Sequence, residues 1–549
     1  MTRHESLRWG KLAIRGGGFV TLFWGSAVCA GEHPGVPPAV SPSTGALTLD
    51  LKVLPLTLQD VVYLALLNNR DVKIERLNPE VAATGVSQAR AVFDPSLSME
   101  ATTGHAETGE GNLLSGSPTP ASDSINWSAG LKARLISGAM ASLDFKNSRT
   151  ESNSTFLTLN PQYTSSLLFT LTQPLLREFG PSVNTIRIKV ARNNATMSRY
   201  LLQSRIAGVL ANAETSYWDL VLGFKERDIR RKALGLAQRL VDRTRGLVQE
   251  GLLPEIALLQ AETSLEQRGS ELKAATNALA DAIGRLQDAL NLDSTADVQI
   301  VPLDQPTLDA PAIHLEQVVK DALARRPELS QVKLDLKNWN LQAELAKNQM
   351  LPQLNLLFSY GWTGVAGEST SVLDLLENHP TAQQFFAQRA TQASQSSLEG
   401  GYGQALENLV AGANPSWKVG FNFTMPLGNV AAKSELSKAS VEVRKASLTV
   451  RDVERKITVE VERAARQVQT SRTTVDGTRA LRQQTERRLE MAQEQFDSGL
   501  APMSAVLEAQ QDLATGEREE WRAIVDYNKT LVLFDKAIGA TLDKYGVTF

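Results

Sequence analysis

Few side chains in this 549-residue sequence have the types and spacings that catalysis or metal binding requires. Cys29 is the single cysteine, so neither an intrachain disulfide nor a cluster of thiolate metal ligands can form. No two of the five histidines have the short spacing of a local metal site: they are His4, His33, His105, His314 and His379. The motifs HExxH, GxSxG and GxxxxGKS/T are absent. The sequence therefore indicates no enzyme and no bound metal or other cofactor.

The charge balance bears on the partners that the chain can bind. It carries 57 Lys and Arg residues against 60 Asp and Glu residues, a formal net charge of −3. A general nucleic-acid binder usually has a basic excess, so we expect no nucleic-acid partner. Hydrophobic residues make up 42% of the sequence, which is enough to bury an extensive surface.

The first thirty residues have the features of an export signal. The apolar or small segment Gly16–Val28 follows four basic residues, which are Arg3, Arg8, Lys11 and Arg15. Ala30 and Val28 suit the −1 and −3 positions of a cleavage site before Gly31. Lipid modification of Cys29 is the alternative, although the preceding Ser26-Ala27-Val28 matches a lipobox poorly. No later apolar run approaches the roughly 20 residues of a spanning helix.

The rest of the sequence is a tandem duplication. Three pairs of segments recur in the same order: Leu58-Gln-Asp-Val-Val as Leu315-Glu-Gln-Val-Val, Thr172-Gln-Pro174 as Thr424-Met-Pro426, and Gly251-Leu252-Leu-Pro254 as Gly499-Leu500-Ala-Pro502. We therefore expect a first repeat over 57–292 and a second over 314–543, joined by a linker over 293–313. The signal (1–30) and an extension (31–56) precede them, and a tail (544–549) follows.

Each repeat begins with a predicted helix, over 57–92 and 314–350, and Pro79 predicts a kink in the first copy alone. Alternating apolar and polar residues then predict strands over 93–103, 126–135, 139–149 and 163–173, and over 353–362 and 416–426. Long Gly- and Ser-rich loops and one very short turn, Ile136–Gly138, join them. Transmembrane β-strands have this pattern, but a soluble β-sandwich alternates in the same way.

Each repeat ends in a predicted helical hairpin. Proline is absent from 185–249 and from 433–498, so each stretch predicts a helix of about 95–100 Å. A Gly-x-x-Pro break follows each helix, near 251–254 and 499–502. A stripe of small and apolar residues predicts close helix packing, with members Ala233, Ala237, Val241, Thr244 and Val248 and their counterparts Leu481, Thr485, Leu489, Ala492 and Phe496.

Over residues 57–543 this plan resembles the TolC-like outer-membrane efflux proteins of Gram-negative bacteria. The resemblance rests on the Leu58 motif with its repeat, the strand-ending Thr-Gln-Pro174-Leu-Leu-Arg-Glu-Phe-Gly180, and Gly499 followed by Val506-Leu507-x-Ala509-Gln510. It implies a mainly α protein with a membrane β-barrel portion. In this fold three tandem-duplicated protomers share transmembrane β-strands and build a long periplasmic helical barrel. Too few strands are predicted in one chain to close a barrel, which also requires several copies.

The resemblance also implies roles for particular residues. The two breaks would be hairpin tips where a periplasmic adaptor docks, through Gly251, Leu252, Pro254, Gly499, Leu500 and Pro502. Prolines would mark the strand–helix junctions, at Pro95, Pro174, Pro352 and Pro426. The family often places acidic residues six and nine positions after the tip glycine, where they gate the entrance. Here those positions are Ala505 and Glu508, with Ala257 and Gln260 in the first repeat, so at most one acidic ring carries over.

One feature departs from the family pattern. The family usually supplies four strands per protomer, whereas six are predicted here, because 126–148 forms an additional hairpin. Either the barrel is larger than usual or this hairpin lies outside its wall.

The resemblance implies a passive exit duct of a tripartite efflux or type I secretion system. Its partners would be two further copies of the chain, outer-membrane lipid, a periplasmic adaptor and an inner-membrane pump. The alternatives are a periplasmic adaptor, which would show compact β-domains between its hairpin halves, and a structural coiled coil, which would lack the strands. The sequence does not indicate the cargo.

Overall fold

The computed structural model describes residues 53–109, 117, 119–154, 157–292, 299–309, 312–369 and 398–547. The predicted signal, with Cys29 and the cleavage site, lies outside the described residues, as does most of the extension. The described residues belong to the compact unit that begins at Lys52.

The elements of the extension and the first repeat are, in order, β1 (Val53–Leu56), α1 (Leu58–Asn68), α2 (Arg70–Arg90), β2 (Ser96–Glu107), β3 (Ala121–Arg134), β4 (Met140–Ser152), β5 (Leu159–Pro174), α3 (Pro181–Asn184), α4 (Ile186–Gln249) and α5 (Glu255–Leu290). The linker contains β6 (Gln299–Pro302), and the second repeat and the start of the tail contain α6 (Leu315–Arg325), α7 (Pro327–Gln349), β7 (Gln353–Ser369), α8 (Tyr402–Val410), β8 (Pro415–Thr424), α9 (Val430–Asp497), α10 (Met503–Ala537) and α11 (Thr541–Lys544). None of the described helices is long and apolar enough to cross a bilayer.

Six of the described strands form one antiparallel sheet in the order β2-β3-β4-β5-β7-β8. The sequence predicted all six, and the observed strands β2, β3, β5 and β7 extend further toward the long loops than predicted. The hairpin predicted over 126–148 is part of this sheet as β3 and β4. β2 and β8 are its two edges within the described chain. Separately, β1 and β6 pair in parallel and bring the start of the first repeat beside the linker.

The first helix of each repeat is broken in two, which corrects the sequence prediction. The breaks lie at Asn69 and Arg326, which occupy equivalent positions in the two repeats, whereas Pro79, the predicted site of a kink, lies inside α2. Asn69 leaves the helical conformation and its side chain accepts a hydrogen bond from the Val72 N–H at 3.2 Å, capping α2. Arg326 is extended because it precedes Pro327, which disfavours helical geometry in the preceding residue. The same break therefore arises from different local chemistry in each copy.

The linker between the repeats is held against the long helices by buried polar contacts. Tyr217 of α4 is fully buried, and its hydroxyl donates to the Asp304 carboxylate at 2.9 Å and accepts from the Asp304 N–H at 3.1 Å. The same carboxylate accepts from the Leu58 N–H at the start of α1. On α10, the Tyr527 hydroxyl donates to the Asp309 carbonyl at 2.6 Å. These contacts join the linker to both repeats.

The C-terminal helix α11 is fastened to α4 at a buried carboxylate. Glu214 is 1% exposed, and burial raises the pKa of its carboxyl above the usual value. Lys544 lies 3.5 Å from Glu214 and 2.9 Å from Asp535, so it bridges α4 and α10. A cation here offsets part of the cost of burying the carboxylate.

We expect Tyr217→Phe to lower the free energy of unfolding by about 1–3 kcal/mol, because it removes hydrogen bonds between a buried hydroxyl and the partly buried, charged Asp304. Tyr63→Phe is the matched control, since Tyr63 is 65% exposed on α1. Urea unfolding of both variants in detergent measures the difference. Equal stability of the two variants would show that the contact with Asp304 does not hold the linker.

Candidate functional site

Both helical hairpins end in the same backbone turn. Gly251 has φ of 74°, its N–H donates to the Val248 carbonyl at 3.0 Å, and the next N–H, that of Leu252, donates to the Leu247 carbonyl at 2.8 Å. Gly499 has φ of 70°, and the equivalent bonds of the second tip measure 3.0 and 2.8 Å. This is the Schellman motif, in which glycine adopts the left-handed conformation without a Cβ penalty. The glycines are therefore required by the turn itself.

A proline begins the returning helix at each tip. Pro254 and Pro502 are extended N-cap residues of α5 and α10. Between glycine and proline, Leu252 is 67% exposed and Leu500 is 82% exposed. A Cβ added at Gly251 or Gly499 would meet no atom within 4 Å. Both tips thus present an exposed leucine that the described part of the chain leaves uncovered.

The two tips lie side by side. Arg243 of α4 bonds Asp497 at the end of α9 at 2.8 Å, and the buried Thr244 hydroxyl contacts the Met503 sulfur of α10 at 3.4 Å. Below them, one apolar cluster joins all four helices, with members that include Leu240, Val241, Ala257, Ala261, Leu489, Val506 and Ala509. The repeats therefore pack as neighbours at this end.

The predicted helix-packing stripe is covered unequally in the two repeats. In α4, Ala233, Ala237, Val241 and Thr244 are all buried. In α9, Leu489 is buried but Leu481 is 49% exposed. The described chain thus covers the stripe of α4 more completely than that of α9.

Glu508 lies in a charged cluster between α9 and α10. Its side chain is 65% exposed and lies 3.0 Å from the Arg488 guanidinium of α9, which also bonds Asp512. Gln260 of α5 and Glu508 line the same groove between α5 and α10. Ala505 is half-buried, and its N–H donates to the Pro502 carbonyl at 3.0 Å. The structure therefore brings Gln260 and Glu508 together, with one cation between two carboxylates.

The four junction prolines flank strands. Pro95 and Pro352 immediately precede β2 and β7, Pro174 is the last residue of β5, and Pro426 follows β8 by two residues. Beside Pro174, the Leu175 N–H donates to the Leu354 carbonyl at 2.8 Å, which ties the end of β5 to the start of β7. Proline suits strand ends because it lacks a ladder donor.

Two features of these sites were not predicted. Arg488 is twenty residues from Glu508 in sequence, and nothing in its local pattern marks it as the partner. The segment 175–185, which joins β5 to α4, has eleven residues against the five of 425–429 in the second repeat. The longer segment could have been predicted, because the offset between equivalent residues of the two repeats changes between Pro174 and Gly251. Among the described residues, no group of three His, Cys, Asp or Glu side chains is placed to hold a metal.

Comparison with known proteins shows which family model and which solved structures this chain is similar to. Residues 318–540 match the family model described as outer membrane efflux protein. The fold is similar to the Campylobacter jejuni CmeC outer membrane channel, with 18% identity and TM-score 0.56 over 88% of this chain and 86% of that one. It is also similar to the Vibrio cholerae outer membrane protein VceC, with 13% identity and TM-score 0.59 over 88% and 96% of the two chains.

A third similar structure is the open state of the Neisseria gonorrhoeae MtrE outer membrane channel, with 16% identity and TM-score 0.55 over 88% and 89% of the two chains. Curated protein sequences give no match. At these identities the structural likeness shows the fold, and the predicted fold class, long helical hairpins with a β portion, is confirmed.

Proposed function

We propose that this chain, a TolC-like outer-membrane efflux protein, is the passive exit duct of a tripartite efflux or type I secretion system. The observation that carries the proposal is the combination of two very long helices with a sheet whose edges are open. α4 has 64 residues and α9 has 68, so each extends about 95–100 Å. Helices of this length suit a conduit across the periplasm.

The sheet supports a membrane location and a homotrimer. One of its faces carries large apolar side chains that are exposed in the single chain, among them Leu97, Met99, Trp417, Phe421 and Phe423. Lipid would cover this face, but it cannot satisfy the backbone groups of the edge strands β2 and β8. Further copies must therefore supply pairing partners, and three copies are the family's usual number.

The duplication supports closure of the helical portion as well. Within the chain, α4 of the first repeat packs on α10 of the second. The equivalent pair, with the repeats exchanged, is α9 with α5. That pair would form between neighbouring protomers, where it would cover the exposed part of the α9 stripe, such as Leu481. In such a ring, the same type of helix contact would occur within each protomer, between α4 and α10, and between neighbouring protomers, between α9 and α5.

The partners follow from the same arrangement. The tips, with Leu252 and Leu500, would dock a periplasmic adaptor, and an inner-membrane pump would supply the energy. The outer-membrane location agrees with the family match over 318–540. A periplasmic adaptor or a structural coiled coil is disfavoured by the six-stranded sheet with one exposed apolar face.

Membrane fractionation followed by mild electrophoresis tests the proposal. We expect the protein in the outer-membrane fraction, as a trimer that SDS dissociates on heating. Recovery as a soluble periplasmic protein would favour the adaptor or the coiled coil and would contradict the exit duct.

We expect Gly499→Leu to prevent adaptor docking while trimers still form. Gly499→Ala is the matched control, because both variants share the strain of a side chain at positive φ, about 1–2 kcal/mol, and only leucine adds bulk. A photocrosslinking residue at Leu500 in the native host should capture a helical-hairpin partner in the alanine variant and not in the leucine variant. Equal capture by both variants would remove the tip from the docking surface.

We expect Glu508→Gln to lower the preference of the open channel for cations, and Arg488→Gln to raise it. The second change leaves Glu508 and Asp512 without their shared cation, so the negative potential increases in each protomer. Glu435→Gln, near the opposite end of α9, is the control for the loss of one charge. Reversal potentials across a salt gradient measure the effect, and identical values for all variants would place Glu508 away from the entrance.

A further inference from the structure

We infer that the β3–β4 hairpin is an insertion that widens the outer-membrane wall to eighteen strands, three copies of the six described here, with β8 of each protomer paired to β2 of the next. The inference rests on the proposed exit duct. The pairing partner of each open sheet edge, β2 and β8, is a second copy of this chain. Four separate observations support it.

The first observation is that the two repeats build their strands differently. In the second repeat, β7 pairs directly with β8, with Leu354 opposite Phe423. Their equivalents in the first repeat are β2 and β5, which β3 and β4 separate. If β2 paired with β5 as β7 does with β8, Leu97 would lie opposite Leu171. Instead Leu97 lies opposite Leu131, so the hairpin has been inserted between two ancestral neighbours.

The second observation is that the hairpin shares both faces of the sheet. One cross-strand row runs through all six strands and is apolar: Leu97, Leu131, Leu143, Phe169, Tyr360 and Trp417. The row on the opposite face is polar throughout: Ser96, Lys132, Ser142, Thr170, Ser359 and Lys418. A hairpin outside the wall would have no reason to continue the apolar and polar faces in phase. β3 and β4 therefore face lipid and lumen as the other strands do.

The third observation is that the β3–β4 turn is fixed to the strand–helix junction. The Gly180 N–H donates to the Ser137 carbonyl at 3.0 Å, and Arg134 donates to the Asn184 side chain at 3.1 Å. Gly138 has φ of 93°, and a Cβ there would lie 2.3 Å from the Glu178 carbonyl oxygen, so only glycine fits. These partners lie in 175–185, the segment that is longer than its counterpart in the second repeat. The chain therefore carries a matching extension that holds the inserted turn.

The fourth observation is that the strand pairing between the two repeats predicts the pairing between protomers. β5 and β7 join the first repeat to the second, with Leu171 opposite Phe358. The same junction between protomers would join β8, the equivalent of β5, to β2, the equivalent of β7. The repeat offsets convert the register into Phe423 opposite Ala101 of the neighbouring copy. Met425 would then face Met99, so the apolar rows continue across the boundary.

The extra strands change the size of the outlet. At a strand spacing of about 4.8 Å and a tilt of about 40°, twelve strands give a backbone diameter of about 24 Å and eighteen give about 36 Å. Barrels of 16 to 18 strands leave an aqueous channel. This outlet therefore suits cargo bulkier than a twelve-stranded wall admits.

Paired cysteines and a short bis-thiosulfonate linker test the wall in detergent-solubilised protein with Cys29→Ser. We expect Ala101→Cys with Phe423→Cys to give covalent trimers, since opposed side chains in antiparallel strands lie about 5 Å apart. Leu97→Cys with Phe423→Cys is the register control and should not react. Within one chain, Leu97→Cys should link to Leu131→Cys and not to Leu171→Cys, which lies about 16 Å away across the sheet.

Each outcome has a distinct meaning. Linkage of positions 97 and 171 would place the hairpin outside the wall and overturn the inference, while the exit duct would stand. Linkage of 97 and 131 without any product between protomers would contradict closure through β2 and β8. A protein that forms no trimer at all would contradict the proposed function itself.

Deletion of 121–152 gives an independent measurement. We expect β2 to pair with β5 in the shortened chain, so that the size limit for poly(ethylene glycol) entering from the extracellular side falls in planar-bilayer recordings. An unchanged limit in a correctly assembled trimer would contradict the widened outlet. If the shortened chain does not assemble, the cysteine pairs in the full chain still decide the question.

Discussion

The open edges of the six-stranded sheet are the constraint on which the rest of the architecture depends. Every backbone N–H and C=O group in the hydrocarbon region must find a partner, because lipid offers none. Interior strands such as β4 satisfy their groups within the chain, whereas β2 and β8 each leave one side unpaired in the described protomer. With the sheet in a membrane, as we propose, the stable unit would therefore contain several copies. The two long helices α4 and α9 would share this symmetry, because α4 follows β5 along the chain and α9 follows β8.

The tandem duplication allows the same types of contact to be used within one chain and between chains of the proposed assembly. Two repeats in one chain create each type of contact once internally, as between β5 and β7 or between α4 and α10, and in the proposed trimer the same contacts would recur between chains. The copies have diverged where their surroundings differ. The stripe of α4 is buried in the chain, whereas that of α9 leaves Leu481 exposed, where a neighbouring protomer of the proposed trimer would cover it. The linker adds contacts that have no second copy, through Tyr217 and Asp304.

Features set by local chemistry could be predicted from the sequence, and features set by distant contacts could not. Alternation located all six strands, and Gly-x-x-Pro located both tips, because periodicity and positive φ leave direct marks in sequence. The break at Asn69 was not predicted, because no proline marks that position and the break depends on the cap that the Asn69 side chain forms on Val72. The partner of Glu508 was missed because Arg488 is brought to it only by the packing of α9 on α10. The role of 175–185 was not predicted, because it depends on the bond that the Ser137 carbonyl accepts from the Gly180 N–H, between segments that are distant in sequence.

The two ends of the proposed duct face different physical demands, and the chain meets them by different means. At the tips, selection would rest on charge: one Arg488 shared between Glu508 and Asp512 leaves each protomer with a modest net negative charge that a single proton or cation can alter. In the sheet, the limit is geometric, because diameter follows from strand number. Flow through two constrictions in series is limited by the narrower one. For small solutes, whose flow the tips already limit, a wide outlet therefore gives no increase in flow. It would help only cargo that passes the tips and is large enough to contact the barrel wall. The inserted hairpin is thus a change at the exit that leaves the entrance chemistry untouched.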